Sequence, residues 1–219
     1  IIIGASIAAI VVSSYAGVAL YARSKVTSLY TEAASAIAQK YPEAQISHKI
    51  LEQGIFSSKV EVSVRFGCDT NAKEAFKYTD TITHGPLLGS HGFGAMYISS
   101  DITLDAATQA KISKIFGNDK ALTIGTKIGF GGDATIKLSS PAKTFTDEES
   151  KSQVKWAGLE AELNASNPSK IQITGLDFIM PELTVTEADN KGRFSIKEAK
   201  ATMKSTDTTS ALGLGSGEL

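Results

Sequence analysis

The residues of this sequence best suited to chemistry are its three histidines, His48, His84 and His91. Imidazole nitrogens are good zinc ligands, and His84 and His91 both border a glycine-rich loop. Their spacing, however, matches no zinc-binding motif such as HExxH. We therefore expect no metal or other cofactor, and we expect His84 to hydrogen-bond the backbone in the turn at Gly85-Pro86. Replacing His84 or His91 by alanine should then cost about 0.5–1.5 kcal/mol, the worth of an ordinary hydrogen bond.

Two further features suggest chemistry but have simpler explanations. Cys68 is the single cysteine, and no neighbouring base is indicated that would activate its thiol, so we expect it to be a small apolar filler. The glycines from Gly129 to Gly132 are reminiscent of a phosphate-binding loop, but the lysine and the following helix of such a loop are absent. We expect a hairpin turn there, ending at Asp133.

The charge of the chain argues against a nucleic-acid partner. Lys and Arg number 22 against 23 Asp and Glu, which gives a net charge of −1. Basic residues do not cluster with aromatic ones, as they do on surfaces that bind nucleic acids.

The N-terminal run 1–22 contains no charged side chain, and Arg23 and Lys25 follow at once. At about 1.5 Å per residue it is long enough to cross a bilayer core of about 30 Å, which predicts a transmembrane anchor over 1–22. The alternative, a cleaved signal peptide, has a shorter apolar region. Small residues four apart predict a face that packs on a second helix: Gly4, Ala5, Ala8, Ala9, Ser13 and Gly17.

Beyond the anchor, helical periodicity continues to Pro42 and predicts a juxtamembrane helix over 23–41. The pattern then becomes alternating and predicts about nine antiparallel strands in a domain over 45–219, which we expect to continue beyond Leu219. Among the predicted strands are 153–164, 170–178 and 183–187. One short helix over 106–116 lies between Asp105 as N-cap and Gly117 as C-terminal stop. The predicted fold is therefore mainly β: a transmembrane helix, then a curled antiparallel sheet, meander or sandwich with one short helix.

Several short motifs occur in a recognisable order. Gly54-Ile55-Phe56-Ser57-Ser58 opens a long strand, Thr83-His84-Gly85-Pro86-Leu87 closes the next, and Ile128-Gly129-Phe130-Gly131-Gly132-Asp133 forms a later turn. This order resembles the bacterial YdgA-like family of membrane-anchored proteins of unknown function. The resemblance implies an inner-membrane anchor with a β-rich body in the periplasm, an orientation that charge alone does not indicate. It implies no activity.

Two classes of function fit these features. The first is a non-catalytic scaffold or accessory subunit of an envelope assembly, which associates with the inner membrane, with protein partners or with itself through the anchor and an open sheet edge. The second is a lipid-binding or lipid-transfer module, in which the apolar strand face of Val60, Val62, Val64 and Phe66 forms a groove for acyl chains. A periplasmic enzyme is a third possibility. That apolar face suits a protein core as well as a groove, so the sequence does not separate the first two.

Overall fold

A computed structural model describes residues 2–66, 76–117, 120–147, 149–167, 172–188 and 192–205. Within these ranges, side chains are described from residue 15 onward, apart from those of residues 66 and 167. Cys68, which we expected to be a small apolar filler, therefore lies outside the described residues. The elements, in chain order, are α1 (Ile2–Lys40), β1 (Ala44–Gln53), β2 (Ser57–Phe66), β3 (Phe76–His84), β4 (Met96–Thr103), α2 (Ala106–Phe116), β5 (Thr123–Ile128), β6 (Ala134–Ser140), β7 (Lys143–Thr146), β8 (Gln153–Trp156), β9 (Leu159–Asn167), β10 (Gln172–Thr186) and β11 (Arg193–Lys204).

The strands form one 11-stranded sheet in the order β1-β2-β3-β4-β5-β6-β9-β10-β8-β7, with β11 paired to β10. The mainly β fold with one short helix is thus confirmed. The sandwich alternative is wrong because all the described strands belong to a single sheet, and the predicted curl is not found. The strand count of about nine was too low.

Three strand boundaries differ from the prediction, each for a local reason. The short strand β7 was missed because four residues carry too little alternation. The predicted strand over 153–164 is divided into β8 and β9 by Gly158, whose φ of 91° breaks the extended backbone. The two strands predicted over 170–178 and 183–187 are one strand, β10, which continues through Pro181. Pro181 lies opposite Glu198, which has a φ of 54°.

The transmembrane helix predicted over 1–22 is not found in the described part of the chain, where no helix is long and apolar enough to cross a membrane.

Helix α1 runs without interruption through both predicted segments, the anchor and the juxtamembrane helix, and ends at Lys40 before Pro42. Of the six small residues expected to pack on another helix, Gly4, Ala5, Ala8, Ala9 and Ser13 lie where side chains are not described. Gly17 is exposed, and a Cβ placed there would meet no atom within 4 Å. Ala19 and Ala22, near the end of the predicted anchor, are 0% and 1% exposed.

The chain divides into two compact units. Unit 1 consists of Ile1–Thr103, Gly125–Thr135 and Ala165–Gln172, and unit 2 of Leu104–Ile124, Ile136–Asn164 and Ile173–Leu219.

Unit 1 has an apolar core between helix α1 and the sheet. Ala22 and Val26 of the helix pack in one cluster with Val60, Val62 and Ile82, all of them 0–1% exposed. Burying each of the larger side chains stabilises the fold by about 1.5–3 kcal/mol. The strand face that sequence alone left as core or groove is therefore core at Val60 and Val62.

Unit 2 is packed differently. Its helix α2 has the predicted caps: the Asp105 carboxylate accepts hydrogen bonds from the backbone N–H groups of Ala107 and Thr108, and Gly117 ends the helix with a φ of 64°. However, α2 buries none of its residues. Of the side chains described in unit 2, only that of Thr184 is buried, and none of the hydrophobic ones is.

Candidate functional site

The functional features of unit 1 meet at one end of its strands. The pairs Gln53↔Ser58, Ser57↔Thr83 and His84↔Met96 place the β1–β2 turn and the β3–β4 loop at the same end. The β5–β6 turn joins them there, because the N–H of Ala95 donates to the carbonyl of Ile128 at 2.8 Å. We call this end of unit 1 the turn end. It carries all of the motif residues on which the family resemblance rests.

His84 links two of those motifs. Its Nδ1 lies 2.7 Å from the carbonyl oxygen of Ile55 and its Nε2 lies 3.1 Å from the hydroxyl of Ser58. Because a carbonyl only accepts, Nδ1 carries the hydrogen and Nε2 accepts from Ser58. The side chain of His84 is 0% exposed, and this burial lowers the pKa of its imidazole below the ordinary value of 6.5. His84 therefore hydrogen-bonds backbone, but in the β1–β2 turn rather than in its own.

The β3–β4 loop is closed by backbone contacts that only glycine permits. The N–H of Gly85 donates to the carbonyl of Ala95 at 2.7 Å, and the N–H of Gly94 donates to the carbonyl of Pro86 at 3.1 Å. A Cβ on Gly85 would overlap the carbonyl of Gly94. The Gly85-Pro86 bond is cis, and the following residue, Leu87, is half exposed.

The other two histidines are apart from His84. His91 stacks on Tyr97, with 3.4 Å between ring centroids and an interplanar angle of 7°. The ring of His48 lies 5.7 Å from that of Tyr30 on helix α1. In the part of the chain that the structure describes, no group of three or more His, Cys, Asp or Glu residues is arranged to hold a metal ion.

The β5–β6 connection is a hairpin turn. The N–H of Gly129 donates to the carbonyl of Asp133 at 2.8 Å, and the N–H of Gly132 donates to the carbonyl of Gly129 at 3.1 Å. The carboxylate of Asp133 occupies the space that a side chain on Gly129 would need, and Gly132 has a φ of 83°. The glycines are thus explained by the tight turn itself.

A cleft of about 320 Å³ lies between helix α1 and this turn. Its lining combines apolar side chains with two of opposite charge, Lys25 and Glu32. The lining residues are Tyr21, Lys25, Ser28, Leu29 and Glu32 of α1, Ala95 and Met96, residues Ile128 to Gly132, and Ser166.

A buried polar cluster under α1 was missed at the sequence level. The hydroxyls of Tyr30 and Ser100 each donate to the carboxylate of Asp80 at 2.5 Å, and Asp80 is 4% exposed. Burial raises the pKa of Asp80 above its ordinary value, and hydrogen bonds from Ser100 and Tyr30 oppose the rise. Burial and the nearby Asp80 raise the pKa of Tyr78 to about 12 and also raise that of Tyr30. The available signal was an acidic residue on the strand face of Tyr78 and Ile82.

Comparison with known proteins adds one finding to this geometry. A family model described as a bacterial protein of unknown function, DUF945, matches residues 1–219. The chain belongs to the DUF945 family. The narrower YdgA-like assignment of this DUF945 chain is not confirmed by the match. No curated protein and no solved structure matches it.

Proposed function

We propose that this DUF945 protein is a non-catalytic scaffold or accessory subunit of an assembly in the bacterial periplasm, associated with the inner membrane. The observation that supports it most is the open packing of unit 2, where no described hydrophobic side chain is buried. Burial of apolar surface is the dominant favourable term in both folding and association. The strands of unit 2 therefore gain stability when another chain covers them.

Strand β11 is the surface that we assign to this contact. Of the strands the structure describes, β10 is the one that pairs with β11, along Gly175–Thr186 and Arg193–Lys204. The opposite edge of β11 presents the N–H and C=O groups that a further strand can use. Phe194 and Ile196 on this strand are 58% and 37% exposed. An added strand would hydrogen-bond the edge and cover both side chains.

The charges on β11 favour a particular kind of partner. Four of its twelve residues are basic, against one acidic residue, Glu198. Like charges discourage two copies of β11 from pairing edge to edge, and they attract a strand that carries Asp or Glu. The partner we propose is therefore an extended acidic segment of another envelope protein. The basic residues are Arg193, Lys197, Lys200 and Lys204.

Site-specific photo-crosslinking in the producing bacterium tests this proposal. A benzophenone side chain replaces Lys200 on β11 in the full chain, and in a matched control it replaces Glu160, an exposed residue on β9, which lies between β6 and β10. The β11 probe should give one discrete heterologous adduct, and adding Phe194→Glu and Ile196→Glu, which removes the apolar contact and repels an acidic strand, should remove it. Equal adducts from both positions, or none from β11, would overturn the proposal.

The periplasmic location has its own test. A reporter that is active only in the periplasm, fused after Leu219, should be active, while a reporter that works only in the cytoplasm should stay silent. The reverse result would exclude the location and leave the β11 contact to be sought inside the cell.

The cleft beside α1 supports a second candidate function, the binding of a lipid. Its volume of about 320 Å³ suits part of an acyl chain, and Lys25 at its wall suits an anionic headgroup. Ser28 lines the cleft and Ser24 does not, although each donates to the carbonyl three residues before it. Native mass spectrometry should find a lipid on the purified chain and on Ser24→Trp, but not on Ser28→Trp. If the unchanged chain and both variants retain lipid equally, the cleft is excluded as the lipid-binding site.

A further inference from the structure

We propose that the turn end of unit 1 rests on the bilayer itself, so that the loop tips enter the lipid interface beside helix α1. The inference rests on the proposed attachment to the inner membrane. It goes further by naming a second contact with lipid and the side chains that make it.

The loop tips of the turn end expose large apolar side chains. Ile55 and Phe56 in the β1–β2 turn are 46% and 51% exposed, Leu87 and Phe93 in the β3–β4 loop are 50% and 70% exposed, and Phe130 in the β5–β6 turn is 63% exposed. All three connections thus project such side chains at the same end of the sheet. A concentration of exposed apolar groups on one surface marks a contact with a partner or a membrane.

The course of α1 favours lipid as the partner. Tyr30 lies beside His48 within β1, whereas Tyr15 lies 5.5 Å from Phe56 at the turn end. The helix therefore approaches the turn end as it is followed toward its N-terminus. Its backbone stays helical back to Ile2, about 20 Å further at 1.5 Å per residue. The part of α1 that precedes Tyr15 therefore lies at the turn end, where the apolar tips are exposed.

Cationic side chains near the turn end match the headgroup region of an anionic bilayer. Arg23 is close enough to His84 to lower its pKa, and the ammonium of Lys25 lies 5.4 Å from the centre of the Tyr21 ring. Lys127 lies beside the β3–β4 loop, since its Nζ would be 3.8 Å from a Cβ on Gly92. Basic groups next to apolar ones that insert are typical of interfacial binding.

Fluorescence quenching by brominated lipids tests the inference on the full chain. Trp156 is the single tryptophan, so Trp156→Phe gives a silent background. The test variant adds Phe93→Trp, at a loop tip, to the Trp156→Phe chain. The matched control adds Phe76→Trp instead. Phe76 is also exposed, at 48%, but lies at the opposite end of the same strands. Each chain is reconstituted into vesicles of phosphatidylethanolamine and phosphatidylglycerol with bromine on the acyl chains.

The Phe93→Trp chain should lose most of its emission in brominated vesicles and shift to the blue, while the Phe76→Trp chain should keep its emission. If both chains float with the vesicles but Phe93→Trp is not quenched, the docking inference is wrong and membrane attachment stands. Equal quenching of both would also overturn it, because the contact would not be specific to the turn end. A chain that fails to float at all contradicts both the attachment and the docking.

Discussion

In unit 1, the β2 side chains Val60 and Val62 are 0% and 1% exposed beneath helix α1, whereas in unit 2 the β11 side chain of Phe194 is 58% exposed. Both units use long antiparallel strands, so backbone hydrogen bonding does not explain the difference. What differs is the cover: unit 1 has a long helix packed on its strand face, and the short helix α2 of unit 2 buries none of its residues. Unit 1 is stabilised from within, and the strands of unit 2 remain available to another chain.

The most direct test of this difference is to make the same substitution, isoleucine to alanine, in both units. Ile82→Ala in unit 1 removes a fully buried side chain and should lower the free energy of unfolding by about 2–5 kcal/mol. Ile196→Ala in unit 2, where the side chain is 37% exposed, should lower it by less than about 1 kcal/mol. Guanidinium unfolding followed by circular dichroism measures both. Equal losses would mean that unit 2 has a core of its own.

The two loop histidines give a second matched pair. His84→Ala leaves the Ile55 carbonyl and the Ser58 hydroxyl without their buried partner, and each unpaired group costs about 1–3 kcal/mol. His91 is exposed and stacked on Tyr97, so His91→Ala should cost about 0.5–1.5 kcal/mol. At His84 this expectation replaces the modest cost predicted from the sequence, and at His91 it is unchanged. Similar unfolding free energies for the two variants would contradict the stabilising role of the two buried hydrogen bonds of His84.

Alanine substitution at two glycines of unit 1 should change the stability of the fold in opposite directions. At Gly85 the added methyl group overlaps the carbonyl of Gly94, which should destabilise the fold by about 1–3 kcal/mol. At Gly17 it meets no atom within 4 Å and should stabilise helix α1 by about 0.5–1 kcal/mol. Thermal unfolding of the two variants measures the signs. A loss at Gly17 would indicate that a partner helix packs there in the purified protein.

The pH dependence of stability is the smallest effect and concerns unit 1 alone. Because the pKa of His84 is lowered in the folded state, its contribution to stability is complete above the ordinary pKa of 6.5. It should be lost as the pH falls from 6.5 through the folded-state value. Subtracting the profile of His84→Gln, which does not titrate, isolates this loss. A wild-type profile parallel to that of His84→Gln below pH 6.5 would show that His84 is not buried as a neutral imidazole.

Local patterns predicted elements in both units. The alternation of Val60, Val62 and Val64 identified β2, and Asp105 and Gly117 fixed both ends of α2, because capping and alternation act over a few residues. Sequence reasoning divided β10 at Pro181, since the tolerance of a proline there depends on the strand opposite. It also missed the pairing of Asp80 with Tyr30, which are 50 residues apart and are brought together only by helix α1.

The candidate site was predictable as a set of turns but not as a surface. The order of the motifs marked Gly54, His84 and Gly129 as turn residues; Gly54 and Gly129 lie between strands, and His84 is the last residue of β3. That the three turns share one end of the sheet depends on strand pairing, and that Phe93 and Phe130 are exposed there depends on tertiary packing. Neither follows from local spacing.

Amide hydrogen exchange on the purified full chain provides the most direct test of the comparison. It tests whether unit 1 is stabilised by its own core while the strands of unit 2 need another chain to cover their apolar side chains. The amides of β2 and β3 should be strongly protected, and those of β11 should exchange at least about a hundredfold faster, because opening β11 exposes little apolar surface. In isolated envelope membranes, which should contain the proposed partner, β11 should gain protection and β2 should not. Equal protection of β2 and β11 in the purified chain would contradict the account.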